Sequence, residues 1–167
     1  AAQEMGAGRV IVVGAPAEPR LAICLAFGAA GVVSIDEHVT SEERVAAVAE
    51  IVGGFGADLV VECSGHPSSG PEGIEMLRDG GTYVEMGQFT DAGSIETNWH
   101  RICTKDITLV GSWAFTPNDI PLGIDMMRRV EEKYPWELVQ QRFPFSEAGL
   151  IEATTTARQQ KCLKATI

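Results

Sequence analysis

The chain has 167 residues, 45% of them hydrophobic, enough for a domain with a sizeable core. Thirteen Lys and Arg stand against 23 Asp and Glu, a net charge of −10 with no basic stripe, which argues against nucleic acid or an anionic membrane surface as a partner. No apolar run reaches the length of a membrane span, and no charged n-region followed by an apolar h-region is visible, so no signal peptide is expected.

The first six residues, Ala1 to Gly6, read as the last turns of a helix and its glycine stop, without an initiator Met. A helix tail at residue 1 implies that a preceding stretch is missing. Arg9 to Gly14 is a β-branched run ending in glycine, a strand. A Pro-containing loop follows. Pro19 or Arg20 then opens a helix through Phe27, which Gly28 stops, and Val32 to Ile35 is the next strand. Thr40 and Glu43 have the spacing of a capping box, so a helix follows with Val45, Val48, Ala49 and Val52 on its apolar face, until Gly53-Gly54. Residues 56–65 are a buried strand running into a glycine turn. Pro71 is placed as a first helical residue, with Ile74 and Leu77 on the apolar face. A turn at Asp79-Gly80-Gly81 leads to a strand ending Glu85-Met86-Gly87. Trp99 to Ile102 is one helical turn, and Ile107 to Gly111 another strand. Ile120, Ile124, Met127, Val130 and Tyr134 mark an amphipathic helix ending before Pro135. Leu138 to Phe143 alternates as a strand. Ser146 caps a last helix, with Phe145 and Leu150 spaced as a hydrophobic staple, and Cys162 to Ile167 is a final strand.

The alternation of strands and helices over residues 9–111 argues for an α/β, doubly wound, Rossmann-like and mostly parallel sheet. The rhythm changes after Gly111, so a division is expected there, into 1–111 and 112–167. Two nearly continuous apolar strands each close on an acid and then a glycine. In open parallel sheets ligands gather at such carboxyl ends. Ser64, Gly65, Met86 and Gly87 are therefore candidates for a nucleotide-type site, against the plainer reading that these glycines only turn the chain. Cys24, Cys63, Cys103 and Cys162 lie far apart in apolar contexts, the pattern of reduced, buried thiols in a cytoplasmic protein. None of His38, His66 and His100 has a Cys or His partner at ligand spacing, so no metal site is expected among them. There is no Gly-x-Ser-x-Gly elbow, and Glu62 and Glu85 close their strands without an evident proton-transfer partner. No catalytic residue is expected in this chain. Trp113 either borders a substrate cleft or fills core.

Taken in order, Arg9–Gly14, Arg20–Gly31, Gly56–Pro67, Leu77–Gly81, Glu85–Gln88, Ile107–Ser112 and Lys161–Ile167 resemble the zinc-binding, medium-chain alcohol dehydrogenases. The resemblance runs over essentially the whole chain, as the cofactor-domain and C-terminal part of such an enzyme. It implies that the catalytic domain with its zinc ligands, the first cofactor-domain strand and the Gly-x-Gly-x-x-Gly turn are absent. Without that central strand the chain alone is expected not to form a complete sheet.

The resemblance also implies roles. Gly14 stands where NAD-using members often carry an Asp for the adenosine ribose, and Arg20 matches a basic residue packed near the adenosine. Cys63, Ser64 and Gly65 match the strand end beside the nicotinamide ribose. Met86, Gly87 and Gln88 match the cradle of the nicotinamide ring. Thr108 and Val110 match positions whose backbone holds the carboxamide, and Lys164 matches a residue reaching the pyrophosphate. The implied cofactor is NAD, with NADP possible, and zinc in the full-length enzyme. The implied substrate is a small alcohol or carbonyl compound, and the implied assembly a homo-oligomer, dimer or tetramer, with the strand at 107–111 near a subunit interface. Two alternatives stay open: a zinc-free quinone- or enoyl-type reductase of the same superfamily, and a non-catalytic nucleotide-binding or interaction domain.

Overall fold

The computed structural model describes residues 1–167. In chain order the elements are β1 (Ile11–Gly14), α1 (Ala22–Ala26), β2 (Gly31–Ser34), α2 (Ser41–Val52), β3 (Ala57–Glu62), α3 (Ser69–Met76), β4 (Leu77–Glu85), α4 (Trp99–Thr104), β5 (Thr108–Gly111), α5 (Asp119–Arg129), β6 (Gln140–Arg142), α6 (Glu147–Arg158) and β7 (Lys164–Thr166). They form two compact units, residues 40–119 and residues 1–39 with 120–167. Every strand pairing is parallel, in three sheets of order β1-β2, β3-β4-β5 and β6-β7, so the expected α/β, Rossmann-like class holds. β1 has one hydrogen-bonded neighbour, β2, and β3 has one, β4.

In the unit 40–119, α2 begins on the expected capping box. Thr40 Oγ1 accepts from the Glu43 amide at 3.2 Å, and the Glu43 carboxylate accepts from the Thr40 amide at 2.9 Å. Ile74, Leu77 and Tyr83 form the core between α3 and β4, with Val60, Ile102 and Ile107 packed on it. Burying an Ile or Leu side chain in this way contributes about 2–3 kcal/mol. Arg44 on α2 grips the Glu72 carboxylate on α3 with two hydrogen bonds, at 2.7 and 2.5 Å, and both side chains are largely buried. Such a fork meets a carboxylate in its own plane, so it fixes how α2 lies on α3. The carbonyls that α3 leaves at its C-terminal end are met by Lys105, whose buried ammonium donates to Ile74 O at 2.8 Å and to Glu75 O at 3.1 Å.

In the other unit, Leu21 and Val33 are buried near the first strand pair, and Val130, Phe143, Ala153 and Cys162 in the second half. Phe27 stacks on Tyr134 at 5.3 Å, and Trp136 meets both rings edge-on. Lys133 and the Tyr134 hydroxyl both donate to the Glu4 carboxylate. Ser146 caps α6 as expected, accepting from the Gly149 amide at 3.1 Å.

Three local expectations are corrected. Phe145 is 96% exposed and Leu150 is 51% exposed, so no staple closes over the start of α6. The amphipathic helix ends at Arg129, five residues short of Tyr134, which leaves the helix to join the aromatic cluster. Ile120, Ile124 and Met127 remain about half-exposed, and of the five apolar positions only Val130 is fully buried. The four cysteines are free, but only Cys162 is buried; Cys63 and Cys103 are exposed.

Candidate functional site

The carboxyl ends of β3 and β4 lie side by side because the two strands pair in parallel with Glu62 opposite Glu85. Each acid holds the turn that follows it. The Glu62 carboxylate accepts from the Ser64 amide at 2.7 Å, from the Gly65 amide at 3.1 Å and from Ser69 Oγ at 2.9 Å, and Ser64 Oγ also donates to it. The Glu85 carboxylate accepts from the Gly87 and Gln88 amides and from the Tyr83 hydroxyl, each at 3.1 Å. Burial alone would raise Glu62, but the hydrogen bonds from Ser64, Gly65 and Ser69 outweigh it and hold the group below its ordinary range. Burial and the neighbouring Glu85 push the Tyr83 phenol well above its ordinary value, so it stays a hydrogen-bond donor.

The two turns touch. Gly65 has φ of +69°, and a Cβ there would run into the Gly87 carbonyl. A Cβ on Gly87 would collide with the Glu62 carboxylate and the Gly65 amide. The glycine reading is therefore sharper than turn formation alone: both positions let backbone meet backbone. Of the other expected site residues, Met86 projects half-exposed just beyond β4. Val110 lies one residue short of the end of β5, opposite Val84, whereas Thr108 lies at the strand's amino end, opposite Thr82. Gln88 and Val110 border a cavity of about 410 Å³ whose walls include Ile74, Tyr83, Glu85 and Trp99. The unit 40–119 thus brings together Cys63, Ser64, Gly65, Met86, Gly87, Gln88 and Val110 at one end of a parallel sheet.

Gly14, Arg20 and Lys164 belong to the other unit. Gly14 closes β1, and its carbonyl accepts from the Ile35 amide at 3.0 Å. Arg20 sits just before α1, and its Nε is buried without a partner. Lys164 opens β7, exposed and opposite Gln140. A second cavity of about 410 Å³ lies in this unit among Pro19, Ile23, Gln141 and Lys161, but it takes in none of these three residues.

Reading the sequence missed two features of the strand ends. One is the role of Glu62 and Glu85 as acceptors for their own turns; the signal was present as an acid two residues before a Ser or Gly. The other is Phe89, which stacks on Trp113 at 5.3 Å. Trp113 is 76% exposed, so it does not fill core, and the pair forms an apolar platform beyond β4 and β5. Its flatness and exposure suit contact with a further apolar surface.

Although Cys63 is exposed, partial desolvation of its thiol and the nearby Glu62 and Glu85 raise it, which keeps it a neutral thiol. His66 spends its Nδ1 on Ser68 Oγ at 2.7 Å within its own loop. No three His, Cys, Asp or Glu side chains converge as metal donors, so the residues of this chain do not fit a zinc site. No helix is long and apolar enough to cross a membrane.

Comparison with known proteins gives these turns a context. Residues 1–129 match the family model of the zinc-binding dehydrogenases. A sorbitol dehydrogenase of Halalkalibacterium halodurans is 34% identical over 102 residues, 60% of this chain and 29% of its own. A probable D-xylulose reductase A of Aspergillus terreus is 30% identical over 151 residues, 88% of this chain and 40% of its own. The crystal structure of an alcohol dehydrogenase from Thermotoga maritima superposes with a TM-score of 0.82 at 26% identity, over 98% of this chain and 44% of that one. The chain therefore spans less than half the length of these relatives. With the family model covering three quarters of its residues, and parallel strands closing on paired glycine turns, the chain belongs to the zinc-binding dehydrogenase family.

Proposed function

We propose that this chain is the NAD(P)-binding portion of an oxidoreductase that moves a hydride between an alcohol or polyol and a nicotinamide. The observation that carries the reading is the pair of interlocked turns, Ser64-Gly65 and Gly87-Gln88, in a family of dehydrogenases. When bound, the nicotinamide supplies the hydride acceptor. The chain's own residues bind and orient it. Ser64 and Gly65 face the nicotinamide ribose, and Met86, Gly87 and Gln88 flank the ring. The backbone at Val110, near the carboxyl end of β5, takes the carboxamide, whereas Thr108, at the strand's amino end, lies apart from this group. Gly14 and Arg20 serve the adenosine end, and Lys164 the pyrophosphate. The lack of an acid at Gly14 removes a ribose-hydroxyl acceptor and leaves room for a 2′-phosphate. NAD is the preferred cofactor and NADP the alternative.

The names of the relatives, sorbitol dehydrogenase and D-xylulose reductase, favour a polyol or ketose as substrate. Zinc belongs to this reading through the family alone, with its ligands outside this chain. Residues 112–167 would return the chain towards a catalytic domain. The free thiols fit a reducing, cytoplasmic setting. The outer edge of β5, with Leu109 and Val110 both 42% exposed, suits a homo-oligomer contact. Titration of the full-length protein with NADH, followed by nicotinamide fluorescence, should show saturable binding with an emission change. A flat titration overturns the cofactor assignment.

A further inference from the structure

Glu62 is 6% exposed, and every polar contact of its carboxylate runs to the turn it precedes or to the first residue of α3. A buried carboxylate is costly unless its lone pairs are met, and four donor groups meet this one: the Ser64 amide and hydroxyl, the Gly65 amide and the Ser69 hydroxyl. Its second face lies against Gly87, so close that no side chain fits between them. The carboxylate is thus wedged between the two turns and bonded to one of them. Its neighbour Glu85 serves only the Gly87-Gln88 turn and the Tyr83 hydroxyl. Neither Ser64 nor Gly65 has a helix or strand of its own to hold it. What fixes their amides in space is the acid at the end of β3.

We propose that Glu62 is a positioning residue of the cofactor cradle, setting the orientation of the Ser64-Gly65 turn and its spacing from the Gly87 turn. The inference rests on the nicotinamide-binding reading above. Glu62 touches no cofactor atom; it acts through the turn backbone. Its reach is confined to the nicotinamide half, because the residues assigned to the adenosine end, Gly14 and Arg20, belong to the other unit.

The test uses the full-length protein and two ligands, NADH and AMP, the latter carrying only the adenosine half. Glu62→Gln keeps the shape but offers one acceptor oxygen where two stood, and turns a donor toward donors. It should raise the Kd for NADH about tenfold, the equivalent of one hydrogen bond to a charged group, and leave the Kd for AMP within about twofold. Glu72→Gln, which loosens the Arg44 pair elsewhere in the same unit, should lower the melting temperature without changing the ratio of the two Kd values. Should Glu62→Gln fail to fold, Ser69→Ala removes a single donor to the carboxylate and should raise the NADH Kd about threefold, again sparing AMP. Equal losses for both ligands, or unchanged NADH affinity in the folded variants, overturn the proposal. A wild-type protein that binds AMP but not NADH, or neither, instead removes the cofactor reading on which it rests.

Discussion

At the scale of single residues, two glycines and two acids define the strand ends. Gly65 combines a left-handed φ of +69° with contact against the Gly87 carbonyl. Gly65→Ala should therefore cost more than either effect alone, about 2–4 kcal/mol in denaturant melts, with NADH binding lost together with the turn. A cost below about 1 kcal/mol would show that the two turns yield easily. The acids make the same region sensitive to low pH. Glu62 is held below its ordinary range by the turn hydrogen bonds, and away from the strand ends, on α3, Glu75 is held low by Arg101. The unfolded chain then takes up these protons first as pH falls. The stability they contribute is complete above about pH 4.5 and drains away as pH drops through their lower folded values. Thermal melts of the full-length protein at pH 7 and pH 4 should show a smaller acid-induced loss in Glu62→Gln than in wild type. Equal losses would place the acid-sensitive groups elsewhere. The sequence displayed these glycines and acids plainly, but not their purpose. Glycine in a turn and glycine at a close approach look alike until Gly87 is seen against Glu62. Glu62, lacking a proton-transfer partner in the linear sequence, has its partners two to seven residues downstream, in the turn and at the start of α3.

At the scale of elements, periodicity and caps were informative where local physics dominates. Thr40-Ser41-Glu42-Glu43 gave the start of α2 to the residue, because both capping-box bonds lie within four residues. Ser146 did the same for α6. Elements whose limits depend on tertiary contact were less legible. The helix expected to reach Tyr134 stops at Arg129, and Tyr134 instead stacks on Phe27, a residue over a hundred positions earlier. The Phe145–Leu150 staple has the right spacing and no contact. Long-range pairs left no mark at all: Arg44 and Glu72 are 28 residues apart, yet their two-bonded grip joins α2 to α3. Removing one partner of a buried pair leaves a charge without compensation. Glu72→Ala should cost about 3 kcal/mol in denaturant melts, whereas Glu75→Ala, whose pair with Arg101 is about 40% exposed, should cost under about 1 kcal/mol. Similar costs for the two would contradict the difference in burial.

For the whole molecule the strand pairing decides more than any side chain. β1 and β3 each have one hydrogen-bonded neighbour, and a strand flanked on one side presents a row of unmet amides and carbonyls. β3 carries Leu59 at 52% and Val61 at 45% exposure, although its near-continuous apolar run is that of a strand covered on both faces. The α/β class was legible because it depends on the alternation of local patterns. The free edges followed only from the resemblance to longer enzymes, since a sequence shows no strand that it does not contain. Eleven apolar residues are buried in the chain, fewer than half the number of large apolar residues that stand exposed. An ordinary domain reaches only about 5–15 kcal/mol with its core complete, so this chain has little margin. Expressed by itself, the 167-residue chain should melt over a broad range without a cooperative transition and should self-associate through its open edges. Circular dichroism with temperature, together with size-exclusion chromatography, would show this. A sharp, reversible melt of a monomer would mean that the chain satisfies the edges of β1 and β3 by itself, and that neither strand needs a further neighbour.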